Sequence, residues 1–161
     1  AVRPHLGRGP RWLSVPVRPT SHHRAARRGA ETPTHLLAVD DFLNGPFLPF
    51  VRALTGDPTC AFCDAQATRY LPGHFLTRHD DARGDHGRLF AYVLNLTPGW
   101  RSDWGGQLQF IGEDGHVTEP FTPAFNALNI FRGPQDHAVS VVAPFAGGAR
   151  LSITGWVRSR R

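Results

Sequence analysis

Residues 70–81 read YLPGHFLTRHDD. The extended conformation that we expect here determines which of these side chains share a face, and with it the fold and the chemistry. Residues 68–77 have the composition of a β-strand, and alternate side chains of an extended segment share a face. His79 and Asp81 are then predicted to point the same way, whereas Asp80 points to the other face. An imidazole and a carboxylate two residues apart are two of the three ligands of an open transition-metal site.

Further strand signals follow this stretch at regular spacing, separated by turns rich in Gly, Pro and Asp. We predict strands over residues 68–77, 88–97, 106–111, 117–121, 126–131, 138–142 and 150–157. Seven short strands with such turns favour an all-β sandwich or barrel. On the N-terminal side, a dense apolar series between residues 36 and 54 predicts a short strand and then one helix across about 45–55, packed outside the β-structure.

Two more polar residues stand at the starts of predicted strands. His137 precedes the strand 138–142, where a loop-to-strand junction can bring it across to the first pair. Two imidazoles and one carboxylate leave the opposite side of a metal open, and this donor set suits iron better than a thiolate-binding metal. Arg150 opens the last strand, 13 residues after His137. Its guanidinium can bind a carboxylate through two parallel hydrogen bonds, and burying it without an anion would be costly.

Residues 36–158 resemble the oxygenases that depend on 2-oxoglutarate and iron(II), and within them the prolyl 4-hydroxylase-like branch. The resemblance rests on blocks in the same order along the chain, in residues 70–81, 91–100, 104–108, 126–131, 136–139 and 150–156. Several ordered blocks are more specific than an isolated His-x-Asp. The resemblance implies a mainly β fold, the double-stranded β-helix (jelly roll, cupin-like), with a short N-terminal helix packed outside.

The same resemblance implies that His79, Asp81 and His137 bind Fe(II), and that Arg150 binds the distal carboxylate of 2-oxoglutarate. These four residues are the predicted catalytic set. The implied reaction consumes O₂ and 2-oxoglutarate, releases succinate and CO₂, and hydroxylates an unactivated C–H bond. Ascorbate is a further candidate cofactor. We expect the substrate to be a prolyl residue of a protein or peptide, or a small proline-like molecule.

Further residues are implied to line the 2-oxoglutarate pocket. Thr154 lies along the same strand face as Arg150, and Tyr70 is implied to be in the pocket wall. The family often has a tyrosine at the position of Asn95, and the asparagine amide can still donate to the bound carboxylate. Tyr92 has the wrong strand parity to replace that tyrosine. We also expect the loop between Asp81 and Arg88, rich in glycine and charge, to cover the site.

Two other functions stay open. Relatives that demethylate nucleobases typically carry a second arginine six positions after the arginine that binds 2-oxoglutarate, and this chain has Trp156 there. The other alternative is a catalytically degenerate β-helix that serves as a binding module, against which the intact ligand set argues. We therefore expect no nucleic-acid partner and no membrane partner, while the oligomeric state is left open.

Composition sets bounds on these hypotheses. The chain has 161 residues, of which 40% are hydrophobic and 19% charged, as in a globular protein with its own core. Its net charge of +5 is uneven, because residues 1–30 hold seven arginines and no acidic residue. We predict a disordered or atypical Arg/Pro-rich tail over 1–34, which also fits an organelle transit peptide, and the oxygenase domain over 35–161.

Both cysteines lie in one short motif, Cys60-Ala-Phe-Cys63. A CxxC pair can be redox-active or half of a zinc site, but the chain has no second such motif. We interpret the pair as reduced, partly buried thiols. Since no apolar run approaches the roughly 20 residues of a membrane helix, we expect a cytoplasmic location.

Overall fold

The structure, a computed structural model, describes residues 13–16, 34–81 and 87–159. Its helical part consists of α1 (Thr34–Phe42), a π-helical segment (Leu43–Phe47) and α2 (Leu48–Thr55). The strands are β1 (Leu13–Pro16), β2 (Phe62–Cys63), β3 (Gln66–Tyr70), β4 (Leu76–His79), β5 (Arg88–Asn95), β6 (Leu108–Ile111), β7 (Val117–Phe121), β8 (Ala127–Arg132), β9 (His137–Val139) and β10 (Arg150–Arg158). A 3₁₀ turn, Ser102–Trp104, precedes β6.

The strands form two antiparallel sheets. The larger sheet has the order β1-β3-β10-β5-β8, with β2 also paired to β10, and the smaller sheet has the order β4-β9-β6-β7. Side chains connect the two sheets, since Tyr70 of the larger sheet packs in one apolar cluster with Val139 of the smaller. This is the predicted mainly β jelly roll, with helices outside.

The helical layer covers the outer face of the larger sheet. Leu43, Phe47, Leu48 and Val51 are buried against a cluster that includes Tyr92 of β5. Spacings of three and four residues place these side chains on one side of the helical segments. The larger of the two apolar clusters therefore lies between this layer and the larger sheet.

The short strand predicted before the helix was wrong, because Thr34–Phe42 is helical. The apolar residues Val39, Leu43 and Phe47 recur every four residues, a helical period. Gly45 has a non-helical backbone and Pro46 follows it, so the helix is interrupted before α2 begins.

The strand predicted over 68–77 is two strands, β3 and β4, which belong to different sheets. Pro72 and Gly73, with φ of 83° at the glycine, turn the chain between them. Most of the predicted tail 1–34 lies outside the described residues. Within it, Leu13–Pro16 pairs with β3.

The two thiols are free and fully buried rather than partly buried. Burial raises the pKa of Cys63 to about 12, and it raises that of Cys60 as well. No helix in the described ranges has the length and apolar character to cross a membrane.

Candidate active site

Two histidines and one aspartate converge where β4 ends and β9 begins. His79 is the last residue of β4, His137 is the first of β9, and the antiparallel register sets them opposite each other. Oδ1 of Asp81 lies 3.7 Å from Nε2 of His79, and Oδ2 lies 3.7 Å from Nε2 of His137. One donor atom from each residue lies within 4.8 Å of the others. The predicted ligand set therefore forms a cluster that can hold a metal ion.

Backbone carbonyls orient both imidazole rings. Nδ1 of His79 lies 2.8 Å from the carbonyl oxygen of Thr77, and Nδ1 of His137 lies 2.7 Å from that of Gln135. A carbonyl oxygen only accepts, so Nδ1 carries the proton of each neutral ring and Nε2 presents its lone pair, as a metal ligand must. Burial lowers the pKa of His137, since desolvation disfavours the charged ring and outweighs the carbonyl of Gln135.

Asp81 reaches the cluster by a route that strand alternation does not describe. β4 ends at His79, and Asp81 lies beyond it with φ of 60°, in the left-handed region. The structure places Asp81 beside the histidines, but the extended-strand reason for choosing it over Asp80 was wrong. A left-handed residue costs conformational energy and is best tolerated at Asn and Asp.

An ion pair connects the two strands that carry the histidines. Arg78 and Asp136, each one residue before a histidine, pair across β4 and β9. Their side chains are 49% and 30% exposed, so the pair contributes little to stability. It lies across β4 and β9 next to the cluster.

A buried guanidinium lies on the larger sheet. Arg150, the first residue of β10, is 1% exposed, and its Nη2 donates to Oδ1 of Asn95 at 3.4 Å. In the described part of the chain, its Nε has no hydrogen-bond partner and no carboxylate pairs with the group. Burial lowers the pKa of Arg150, because no neighbouring anion replaces the lost hydration. Such a group favours an anionic ligand.

Tyr70 and Thr154 lie on the inner face of the larger sheet, as Arg150 does. Tyr70 is the register partner of Arg150, with its ring centroid 5.1 Å from the guanidinium carbon. Burial raises the pKa of Tyr70 to about 12. Thr154 follows Arg150 and Ser152 on the same face of β10. Tyr70 therefore contacts the guanidinium, whereas Thr154 shares its face.

Asn95 has a different environment from the one predicted. Its Nδ2 donates to the carbonyl oxygen of Ala127 at 3.2 Å and to Oδ1 of Asn129 at 3.0 Å. The amide donors therefore bind protein acceptors, and Oδ1 orients Arg150 instead. Tyr92 lies on the outer face, where its hydroxyl donates to the carbonyl oxygen of Asp64 at 2.8 Å, in agreement with its strand parity.

Sequence reasoning missed two residues that contact Asp81. Nε1 of Trp156 donates to Oδ2 of Asp81 at 3.1 Å, and Nη1 of Arg88 donates to its backbone oxygen at 3.0 Å. Alternation along β10 could have indicated Trp156, since it shares the inner face with Arg150. Arg88 carried no such signal. Residues 82–86, the middle of the predicted covering loop, lie outside the described residues.

Asp81 is among the residues that line a pocket of about 170 Å³. Its wall contains rings from Phe131, Pro134 and Trp156 and charged groups from Asp80, Asp81 and Arg88. Its mixed lining suits an apolar group that carries a hydrogen-bonding neighbour. The pocket therefore offers space for a small side chain next to the metal cluster.

Two histidines and one carboxylate that come together in a jelly roll are the ligand set of a non-haem metal site. The family model described as the 2OG-Fe(II) oxygenase superfamily matches residues 65–158, which include every residue of the site. The chain belongs to the 2OG-Fe(II) oxygenase superfamily. The resemblance seen in the sequence is thereby confirmed.

Two curated relatives match most of the chain. "Prolyl 3-hydroxylase OGFOD1" of Xenopus laevis is 31% identical over 130 residues, which are 76% of this chain and 25% of the relative. The protein of the same name from Mus musculus is 30% identical over 129 residues, covering 76% of this chain and 23% of the relative. The chain thus spans about a quarter of the length of these relatives.

Solved structures share the fold. A Pseudomonas putida prolyl-4-hydroxylase is 26% identical with a TM-score of 0.63, over 99% of this chain and 78% of that one. A Trichoplax adhaerens prolyl hydroxylase, solved with a peptide fragment of the hypoxia-inducible factor oxygen degradation domain, is 21% identical with a TM-score of 0.61. That match covers 94% of this chain and 64% of the other and shows the fold alone.

Membership implies Fe(II), 2-oxoglutarate and O₂ as cofactor and cosubstrates, and the residues present fit them. Two neutral imidazoles and one carboxylate are the donors that iron(II) takes in such sites. The buried Arg150, with its unpartnered Nε, fits an incoming carboxylate. Both groups therefore have matching residues in this chain.

Proposed function

We propose that the chain is an Fe(II)- and 2-oxoglutarate-dependent dioxygenase that hydroxylates a prolyl residue of a protein or peptide. One observation carries the proposal. The donor atoms of His79, Asp81 and His137 lie within 4.8 Å of one another in a chain that also buries Arg150 without a carboxylate partner in its described part. This combination provides for a metal and for an anionic cosubstrate.

The chain's own residues would hold the metal in an open arrangement. His79 and His137 would bind through Nε2, because the carbonyls of Thr77 and Gln135 hold their Nδ1 protons. Asp81 would be the anionic ligand, and three protein ligands leave room for other groups. When bound, iron(II) and 2-oxoglutarate supply O₂ chemistry in which one oxygen enters succinate as CO₂ leaves, and the other enters a C–H bond.

Arg150 would bind the distal carboxylate of 2-oxoglutarate. Asn95 fixes the guanidinium from one side, and the Tyr70 ring covers it from another, so the charged group is held in place before the ligand arrives. Burial raises the pKa of Tyr70 to about 12, so its hydroxyl stays protonated well above neutral pH. Thr154 would contribute from the same strand face.

The pocket beside Asp81 would accept the substrate. Phe131, Pro134 and Trp156 provide apolar walls for a pyrrolidine ring, and the Arg88 guanidinium can donate to a backbone carbonyl. The names of the relatives support this choice, since they are prolyl hydroxylases. A free proline-like molecule is the alternative substrate of the same chemistry.

Anaerobic titration with Fe(II) and 2-oxoglutarate tests the site. The charge-transfer band of the chelate is expected in the wild-type protein and absent from Asp81→Ala and His137→Ala. Asp80→Ala is the matched control and is expected to keep the band, because Asp80 is not one of the clustered ligands. Folded wild-type protein without a band would instead support a degenerate binding module.

Product analysis tests the reaction. Succinate release should depend on Fe(II) and rise with proline-containing peptides, with mass spectrometry showing one added oxygen on proline. The same assay is run with free proline and with methylated oligonucleotides. Turnover of the oligonucleotides alone would contradict the prolyl proposal and favour the nucleobase alternative.

A further inference from the structure

We propose that Trp156, supported by Arg88, is a positioning residue that orients the Asp81 carboxylate toward the metal. The inference rests on the proposed function, because it assigns a role around the metal ligand of that site. One metal ligand of the site, Asp81, lacks support from strand pairing. Asp81 lies beyond the end of β4 with a left-handed backbone, so no strand ladder holds it.

The indole of Trp156 compensates for this lack of support. Its Nε1 donates to Oδ2 of Asp81 at 3.1 Å, and the same oxygen lies 3.7 Å from Nε2 of His137. Oδ1 lies 3.7 Å from Nε2 of His79. An indole N–H donates one hydrogen bond and accepts none. The bond therefore holds Oδ2 in place, with each carboxylate oxygen near one imidazole.

Trp156 is well placed to act as a fixed support. It lies within the nine-residue strand β10, with Ala91 of β5 as its register partner. Its backbone N–H donates to Oδ1 of Asp64 at 2.9 Å. Because both ends of this residue are held, the indole connects the ligand to the most extensively paired strand of the larger sheet.

Arg88 holds the same unit together from a second direction. Its guanidinium carbon lies 3.8 Å from the centroid of the Trp156 ring, a cation–π arrangement. Its Nη1 also donates to the backbone oxygen of Asp81 at 3.0 Å. One residue thus fixes both the indole and the main chain of the ligand. Partners of metal ligands typically change metal affinity 10–100-fold when they are lost.

Metal affinity without turnover is the first readout. Co(II) is titrated into wild-type protein and Trp156→Phe, and its visible d–d spectrum reports the ligand geometry. We expect about 10–100-fold weaker Co(II) binding in Trp156→Phe, together with a changed d–d spectrum. Equal affinity and an identical spectrum would overturn the inference.

Trp100→Phe is the matched control, because it also removes an indole hydrogen bond, from Nε1 to the carbonyl oxygen of Gly105 at 3.0 Å. We expect it to bind Co(II) as wild type does. An equal loss in both tryptophan variants would show a general packing effect and overturn the inference. Should Trp156→Phe not fold, Arg88→Gln provides the second test, because it removes the stacked cation while leaving the indole.

Arg88→Gln is expected to weaken Co(II) binding and change the spectrum in the same direction as Trp156→Phe. Unchanged Co(II) binding in folded Arg88→Gln would overturn the role of Arg88. Wild-type protein that binds no Co(II) or Fe(II) would overturn the proposed function together with this inference. Wild-type binding that Trp156→Phe retains would overturn the inference alone.

Discussion

At Gly155 the main chain of β10 comes so close to the segment before β3 that no side chain fits between them. A Cβ at this position would lie 2.0 Å from the carbonyl oxygen of Asp64. The close approach lets Asp64 and Trp156 form two hydrogen bonds. The Asp64 N–H donates to the carbonyl oxygen of Trp156, and the Trp156 N–H donates to Oδ1 of Asp64. The residue that supports the site is thus anchored beside a glycine.

Replacing Gly155 by alanine should therefore destabilise the protein. The added methyl meets backbone atoms that cannot rotate away, and overpacking of this kind costs about 1–3 kcal/mol. Gly148→Ala is the matched control, because a Cβ there meets no atom within 4 Å. Urea unfolding of both variants measures the free energies, and a loss no greater at Gly155 than at Gly148 would contradict the argument.

Sequence reasoning identified residue types at the site better than their conformations. The pattern around His79 and Asp81 indicates a metal ligand pair, since it stands among several blocks that occur in the order typical of the family. The left-handed backbone of Asp81 could not be predicted from strand alternation, and its side chain contacts Trp156, which is 75 residues away along the chain. For the same reason the engaged amide of Asn95 was not foreseen.

At the scale of elements, the helical layer is the support behind the larger sheet. Leu43 is 1% exposed and Val51 is fully buried, and both pack in the cluster that contains Tyr92 and Val157. These last two residues lie on the outer faces of β5 and β10. The layer therefore stabilises the strands whose inner faces carry Arg150 and Trp156.

Truncating this contact should cost much of the stability. Leu43→Ala is expected to lower the free energy of unfolding by about 2–5 kcal/mol, the usual range for a buried leucine. Leu54→Ala is the matched control in the same layer, since Leu54 is 54% exposed, and its effect should stay below about 0.5 kcal/mol. Similar losses at both positions would show that the layer is loosely packed.

Periodicity predicted most strands but not where the chain changes sheets. β5, β7, β8 and β10 begin and end within a few residues of the predicted strands. β3 and β4 were joined in one prediction, because a strand signal runs on both sides of the Pro72-Gly73 turn. Which sheet a strand joins depends on long-range pairing, and a local pattern carries no such information.

At the scale of the whole molecule, the larger sheet separates two environments. Its outer face packs Phe90, Tyr92 and Val157 against the helices, and its inner face carries Arg150 and Asn95. The register of β10 explains this division, since alternate side chains point to opposite faces. A chain of this size can thus build a core on one side of a sheet and a polar site on the other.

Every cysteine and tyrosine of the chain is buried in the folded protein. We therefore predict that the folded protein loses stability at alkaline pH. Burial raises the pKa of Cys60, Cys63, Tyr70 and Tyr92. The chain contains no lysine, and arginine keeps its proton throughout this range. Between the titration of the histidines and that of arginine, these four side chains therefore govern the pH dependence of stability.

Between neutral pH and the ordinary thiol pKa of 9.0, stability should be constant, and it should fall as the pH rises further. Above that pH the unfolded chain releases protons that the folded chain retains, so unfolding is favoured by about 1.4 kcal/mol per pH unit for each such group. Urea unfolding between pH 7 and pH 11 measures the decline.

Tyr92→Phe removes one of the four groups and should show a shallower decline in stability above the ordinary tyrosine pKa of 10.0. Tyrosinate absorbance that appears before unfolding would contradict the prediction, because it would show that the buried hydroxyls ionise within the folded protein.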